Sequence, residues 1–123
     1  MKKTAGLISM IAGLAFGQAH AAGDPAKGKR VFNKCKACHA LVAGKKKIGP
    51  SLHGMYGRKA GTAPGYSASK AMKDSGVVWS PETLSRYLAD PKKFIPGNKM
   101  PFPGLRNEED LANLNAYLLQ ATK

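Results

Sequence analysis

The most informative stretch of this 123-residue chain is the pentapeptide Cys35-Lys36-Ala37-Cys38-His39. It contains both cysteines of the sequence, three positions apart, with a histidine directly after the second. This spacing is typical of covalent attachment of a c-type haem. Cys35 and Cys38 would add across the two haem vinyl groups, and His39 would be the proximal axial ligand of the iron.

The two cysteines have one alternative interpretation. A C-x-x-C disulfide occurs in exported thiol oxidoreductases, where the motif opens a helix that follows a strand. No β-α-β pattern surrounds the motif in this sequence, so we disfavour that interpretation.

The N-terminus has the pattern of an export signal. Lys2 and Lys3 precede an apolar run over residues 7–16, and Ala19-His20-Ala21 fits a small-x-small cleavage site. The run is too short for a stable membrane anchor, which takes about 20 residues, so an uncleaved anchor is the weaker alternative. We expect cleavage after Ala21 or, as a second choice, after Ala22.

This signal would divide the chain into a removed segment, residues 1–21, and a mature exported domain, residues 22–123, for which we expect a periplasmic location. Loss of Lys2 and Lys3 lowers the formal charge of +13 to +11. So basic a chain is compatible with a solvated surface, with nucleic-acid binding or with docking of acidic partners, and charge alone does not choose among them.

Helix-start signals predict an all-α fold of three main helices and at least one short one. Asp24-Pro25, Ser80-Pro81 and Asn107 each place a capping side chain at a helix start, and residues 69–74 could form a further short helix. Pro91 is expected to end the second main helix. The glycine-rich and proline-rich segment 41–67 predicts long loops, which a small domain could pack against a buried haem.

Gly28 lies in the first predicted helix, on the face shared with Val31, Phe32 and Cys35. A glycine inside a helix costs about 1 kcal/mol relative to alanine. We therefore expect another backbone to approach the helix closely at Gly28.

The second axial ligand has four candidates in the mature chain, namely His53, Met55, Met72 and Met100. Met100 is favoured because Pro96 and Pro101 hold its segment extended, where helix packing does not explain a methionine. His/Met ligation is also a common arrangement at haem iron. On the proximal side, the carbonyl of Pro50 is a plausible acceptor for the second ring nitrogen of His39.

Several further motifs occur in a fixed order along the mature chain. They are Gly28-x-x-x-Phe32, Gly49-Pro50-x-Leu52-His53-Gly54, Gly57-Arg58-Lys59, Ala63-Pro64-Gly65-Tyr66, Trp79, Tyr87-Leu88-x-x-Pro91, Ile95-Pro96-Gly97-x-Lys99-Met100 and Leu114-x-x-Tyr117-Leu118. With the pentapeptide, they resemble a class I cytochrome c of the mitochondrial type, as found in bacterial periplasms. The resemblance implies one covalent haem c inside a small all-α fold.

The resemblance also implies roles for individual side chains. Gly28 and Phe32 would cross the last helix at Tyr117, and His39 and Met100 would ligate iron. The remaining roles are haem propionate binding by Arg58 and Trp79, hydrogen bonding near Met100 by Tyr87 and Asn98, and cover of the haem edge by Phe102. Ala68 and Met72 depart from the family pattern, where a tyrosine and an asparagine are usual, so we expect fewer protein groups, or water, at the propionates.

A filled iron coordination shell predicts a soluble one-electron carrier rather than an enzyme. Two alternatives remain: a peroxidase or gas sensor in which Met100 dissociates, and a basic binding protein without haem. A ring of eight lysines is expected around the haem edge, namely Lys34, Lys36, Lys45, Lys46, Lys47, Lys92, Lys93 and Lys99.

Such a ring would steer acidic redox partners into short-lived complexes. These partners would be a cytochrome bc-type reductase and a terminal oxidase, reaction centre or other periplasmic acceptor. We expect a monomer that makes only transient contact with a membrane surface and binds no nucleic acid.

Overall fold

A computed structural model describes residues 23–123 of the chain, so the predicted signal peptide, residues 1–21, lies outside the described residues. Five α-helices follow one another: α1 Pro25–Val31, α2 Lys70–Asp74, α3 Pro81–Ala89, α4 Pro91–Phe94 and α5 Glu108–Ala121. A 3₁₀ turn, Phe32–Lys34, continues α1 into the pentapeptide. Within residues 23–123 there is no strand beyond an isolated bridge between Lys59 and Val78. The all-α prediction is confirmed.

The three main helices begin at the capping side chains that the sequence indicated. Asp24 Oδ1 accepts a hydrogen bond from the backbone N–H of Ala26 at 2.8 Å. Ser80 forms a reciprocal capping box with Thr83, and Asn107 Oδ1 accepts from the N–H of Asp110 at 3.0 Å. Each cap satisfies an N–H group that has no partner inside its own helix.

Helices α1 and α5 cross in close contact at Gly28. A Cβ atom placed on Gly28 would lie 1.8 Å from the carbonyl oxygen of Asn113 and 2.8 Å from Cβ of Tyr117. One turn further on, the rings of Phe32 and Tyr117 pack with centroids 5.7 Å apart. The predicted close approach at Gly28 is confirmed, and it brings the segment before the pentapeptide onto α5.

Helix α3 packs its buried face of Leu84, Tyr87 and Leu88 into the core that α5 also forms. The expectation at Pro91 was incomplete. Helix α3 ends at Ala89, but Asp90 then caps α4, which begins at Pro91 itself. Proline is tolerated at the first position of a helix, because its missing N–H has no acceptor there.

No helix of the described region, residues 23–123, has the length and apolar character needed to cross a membrane. The long segment between the 3₁₀ turn and α2 forms loops and turns, as expected. Together with the segment from 95 to 107, these loops enclose a large internal cavity that the helices leave open.

Candidate haem site

The cavity has a volume of about 260 Å³, about twenty times the space that one water molecule needs. A gap of this size in a small domain is a binding site rather than a packing defect, because protein interiors are normally close-packed. Nine of the ten side chains proposed from the sequence line it, namely Cys35, Cys38, His39, Pro50, Arg58, Trp79, Tyr87, Met100 and Phe102. The tenth, Asn98, is buried directly behind Met100.

The pentapeptide forms one wall of the cavity. The N–H groups of Cys38 and His39 both donate to the carbonyl of Cys35, at 3.1 and 3.0 Å. These turns bring both thiols and the imidazole to the same cavity, and both cysteines are free. Burial, followed by the neighbouring thiol of Cys38, raises the pKa of Cys35, so this group stays a protonated thiol before any haem is attached.

His39 is held in a single orientation. Its Nδ1 lies 2.8 Å from the carbonyl oxygen of Pro50; a carbonyl only accepts, so Nδ1 donates and Nε2 carries the free lone pair. Burial lowers the pKa of His39, an effect partly offset by this hydrogen bond, so the ring is kept neutral. A neutral imidazole with a fixed tautomer is the form that ligates metals.

Gly49 is the residue that allows this orientation. A Cβ atom at Gly49 would lie 2.5 Å from Cε1 of His39, and its backbone N–H donates to the carbonyl of Cys38 at 2.8 Å. The imidazole therefore lies directly against the backbone of the Gly49-Pro50 turn. The sequence predicted the Pro50 contact but not the need for glycine before it.

Met100 also lines the cavity, and its backbone is fixed by Asn98. Asn98 Oδ1 accepts from the N–H of Met100 at 2.9 Å and from the hydroxyl of Tyr87 at 3.3 Å. Its Nδ2 donates to the carbonyls of Pro91 and Ile95, both at 2.9 Å. Asn98 is thus fully hydrogen-bonded inside the protein, and it ties the Met100 segment to α3 and α4.

Tyr87 is the titratable group that hydrogen-bonds to the side chain of Asn98. Burial, with a smaller contribution from nearby Tyr66, raises the pKa of Tyr87 to about 12. Its hydroxyl therefore remains a hydrogen-bond donor to Asn98 at neutral pH. The ring also packs against Trp79, with centroids 5.2 Å apart, so the two aromatic side chains support each other beside the cavity.

The other candidate ligands differ in position. Met55 and Met72 both line the cavity, whereas His53 does not. The carbonyl of His53 instead accepts a hydrogen bond from Arg58 Nη2 at 2.6 Å, which fixes the guanidinium at the cavity wall. Position relative to the cavity therefore argues against His53 as the second axial ligand. It does not choose among Met55, Met72 and Met100, which all line the cavity.

Ala68 and Met72, the two departures from the family pattern, also line the cavity. Neither side chain offers a hydrogen-bond donor. Polar side chains that the sequence had not assigned to the cavity are found there as well, namely Ser51, Lys59, Tyr66 and Ser69. Ser69 caps α2 and the other three lie in loops, so only the folded chain brings them to the cavity.

Charge is distributed unevenly around the cavity. All eight lysines of the expected ring are exposed, but only Lys34 and Lys99 line the cavity. None of the seven acidic residues, all of which lie within residues 23–123, lines it. The opening of the cavity is therefore electropositive.

Two free thiols, a neutral histidine, largely apolar walls and methionine thioethers in one cavity fit a covalently attached haem. The fold and site thus define a small all-α haem protein. The cytochrome c family model matches residues 25–122, and the chain belongs to that family, as a class I cytochrome c. The resemblance read from the motifs is confirmed.

Individual relatives agree with this assignment. Cytochrome c-554 of Methylosinus trichosporium is 45% identical over 96% of this chain and 93% of its own length. Cytochrome c-550 of Bradyrhizobium diazoefficiens is 52% identical over 80% of this chain and 73% of its own. Cytochrome c2 of Rhodoblastus acidophilus is 51% identical over 80% and 94%. The protein is therefore a haem c electron carrier, with Cys35 and Cys38 fitting the attachment motif.

Proposed function

We propose that this cytochrome is a periplasmic one-electron carrier in which His39 and Met100 are the axial ligands of the haem iron. The supporting observation is a single cavity that both the neutral imidazole of His39 and the side chain of Met100 line. Met100 is preferred over Met55 and Met72 because the buried side chain of Asn98 fixes its backbone. A weak thioether ligand stays bound most readily when its backbone is held in place.

The bound haem would supply the one-electron iron couple, and the protein would supply its surroundings. Pro50 orients His39, and Asn98 and Tyr87 hold the Met100 segment. Phe102, which lines the cavity, would cover the haem edge. With protein ligands on both sides, no position remains for oxygen or peroxide, so electron transfer is favoured over catalysis. Arg58 and Trp79 would bind the propionates, whose burial without partners would be costly.

Export to the periplasm is proposed from the N-terminal pattern and from bacterial relatives that share the domain. A signal peptide over residues 1–21 would be removed, leaving a domain over residues 22–123. The electropositive cavity opening supports partners with acidic docking surfaces, such as a cytochrome bc-type reductase and a terminal oxidase or reaction centre. We expect the carrier to act as a monomer.

The test begins with a pyridine haemochrome assay to confirm covalent haem c, followed by the spectrum of the oxidised protein. The wild type should show the long-wavelength sulfur-to-iron band at neutral pH. Met100→Ala should abolish the band, while Met55→Leu and Met72→Leu, which alter the other two thioethers of the cavity, should retain it. Absence of the band from the wild type would favour an open iron site, and its persistence in Met100→Ala would assign the ligand elsewhere.

A further inference from the structure

A second group of hydrogen-bonded side chains surrounds Asn115, which is only 5% exposed. Its Oδ1 accepts a hydrogen bond from the hydroxyl of Tyr56 at 2.6 Å. Its Nδ2 donates to Ser85 Oγ at 2.9 Å and to the carbonyls of Leu111 and Pro81 at 3.0 and 3.3 Å. Within the described part of the chain, none of these five residues lines the haem cavity, so direct contact with the haem does not account for the group.

This Asn115 cluster, formed by the side chains of Tyr56, Ser85 and Asn115, fixes a geometry. Apolar side chains of similar shape could fill the same space with little change in stability, whereas a fully hydrogen-bonded network holds its members in one arrangement. Burial raises the pKa of Tyr56, so its hydroxyl stays protonated and remains a donor at neutral pH. The question is therefore which parts of the protein the cluster holds in place.

Tyr56 belongs to a short turn whose other side chains line the haem cavity. Met55 precedes it and Arg58 follows two positions later, and both line the cavity. The N–H of Arg58 donates to the carbonyl of Met55 at 2.9 Å, and Arg58 Nη2 donates to the carbonyl of His53 at 2.6 Å. The position of the guanidinium therefore depends on the position of this turn, which Tyr56 ties to Asn115.

The segment that carries Trp79 is held by the same cluster. The N–H of Gly57 donates to the carbonyl of Trp79 at 2.8 Å, and the N–H of Trp79 donates to the carbonyl of Arg58 at 3.0 Å. Two residues after Trp79, helix α3 begins at Pro81, whose carbonyl accepts from Asn115. The cluster thus contacts both of the paired segments, and each of them carries a side chain that lines the cavity.

We propose that Tyr56 and Asn115 are positioning residues for the haem propionates, which act by fixing Arg58 and Trp79 at the cavity. This inference rests on the proposed function, in which those two residues bind the propionates. A propionate charge would favour ferric iron, and a cation fixed beside it would offset that effect. A well-positioned Arg58 guanidinium therefore raises the reduction potential, and loosening the cluster should lower it.

The experiment is a redox titration of the haem-loaded protein, followed by absorbance. Tyr56→Phe removes the hydroxyl and keeps the ring. At the midpoint potential of the wild type, we expect its ratio of oxidised to reduced haem to be about 3-fold higher, a shift of about 28 mV at about 59 mV per tenfold. Asn115→Leu should shift the ratio in the same direction. Tyr117→Phe, which removes a hydroxyl from another half-buried tyrosine outside the cavity, is the matched control and should leave the ratio unchanged.

A second comparison tests whether the shift acts through Arg58. Arg58→Met alone should lower the potential, because the cation is lost. The effect of Tyr56→Phe should then be mostly lost in the Arg58→Met background, since no guanidinium is left to position. A purely structural role for Tyr56 gives a different result, namely a lower free energy of unfolding in both backgrounds and no change of potential in either.

The outcomes separate this inference from the function beneath it. Absence of the sulfur-to-iron band from the wild type would contradict the proposed axial ligation, and an unchanged potential in Arg58→Met would contradict the proposed propionate contact. A lowered potential in Arg58→Met, with none in Tyr56→Phe or Asn115→Leu, would overturn the positioning role alone. A Tyr56→Phe shift that persists in full without Arg58 would also overturn it, because the hydroxyl would then act on the haem directly.

Discussion

The closest approach between two helices offers the sharpest test of the fold, through the substitution Gly28→Ala. The added Cβ would lie 1.8 Å from the carbonyl oxygen of Asn113, and ordinary contact begins at 3.4 Å. Helices α1 and α5 would therefore have to separate by about 1.6 Å at this point. The contacted oxygen belongs to the backbone of α5, and a Cβ atom is fixed by its own backbone, so a change of side-chain rotamer cannot relieve the clash.

The magnitude follows from two costs and one gain. Overpacking of a close-packed interface costs about 1–3 kcal/mol, and loosening the Phe32–Tyr117 ring pair costs up to about 1 kcal/mol more. Alanine returns about 1 kcal/mol because it is the better helix former. The middle of these ranges is a net loss of about 1.5 kcal/mol in the free energy of unfolding, which lowers Tm by roughly 6–12 °C in a domain of this size.

The assay is guanidinium unfolding of the haem-loaded protein, followed by far-ultraviolet circular dichroism. Lys29→Ala is the matched control, because it places alanine at an exposed position of the same helix and should change stability by no more than about 0.5 kcal/mol. If Gly28→Ala proves as stable as the wild type, or more stable by the helix-propensity gain, the close crossing of α1 and α5 is refuted.

Two further predictions concern the wall that carries Met100. Asn98→Ala should lower the free energy of unfolding by about 2–4 kcal/mol, because buried donors and acceptors lose their partners; the exposed Asn33→Ala should be near neutral in the same unfolding assay. For Tyr87, the raised pKa means that folding favours the neutral phenol. Its contribution to stability is therefore complete below pH 10 and is lost as the pH rises towards about 12. Unfolding at pH 9 and pH 11 should show a steeper loss for the wild type than for Tyr87→Phe, and equal slopes would contradict the buried hydroxyl.

The features that could be predicted from the sequence were those that neighbouring residues or covalent chemistry determine. The caps at Asp24, Ser80 and Asn107 act on N–H groups within three residues, so the helix starts follow from neighbouring side chains alone. The haem-attachment motif lies within five consecutive residues, so it can be recognised without knowledge of how the rest of the chain folds. The glycine at position 28 indicated a close contact because its cost in a helix needed an explanation.

Contacts between residues far apart in the chain became visible only in the folded protein. It shows that Gly49 makes room for the imidazole of His39 and that Asn98 joins α3, α4 and the Met100 segment through four hydrogen bonds. It also places Ile48 at the edge of the cavity, facing solvent. These relations join residues from loops without periodic pattern, and the positions of those loops follow from packing around a shared cavity rather than from any local preference.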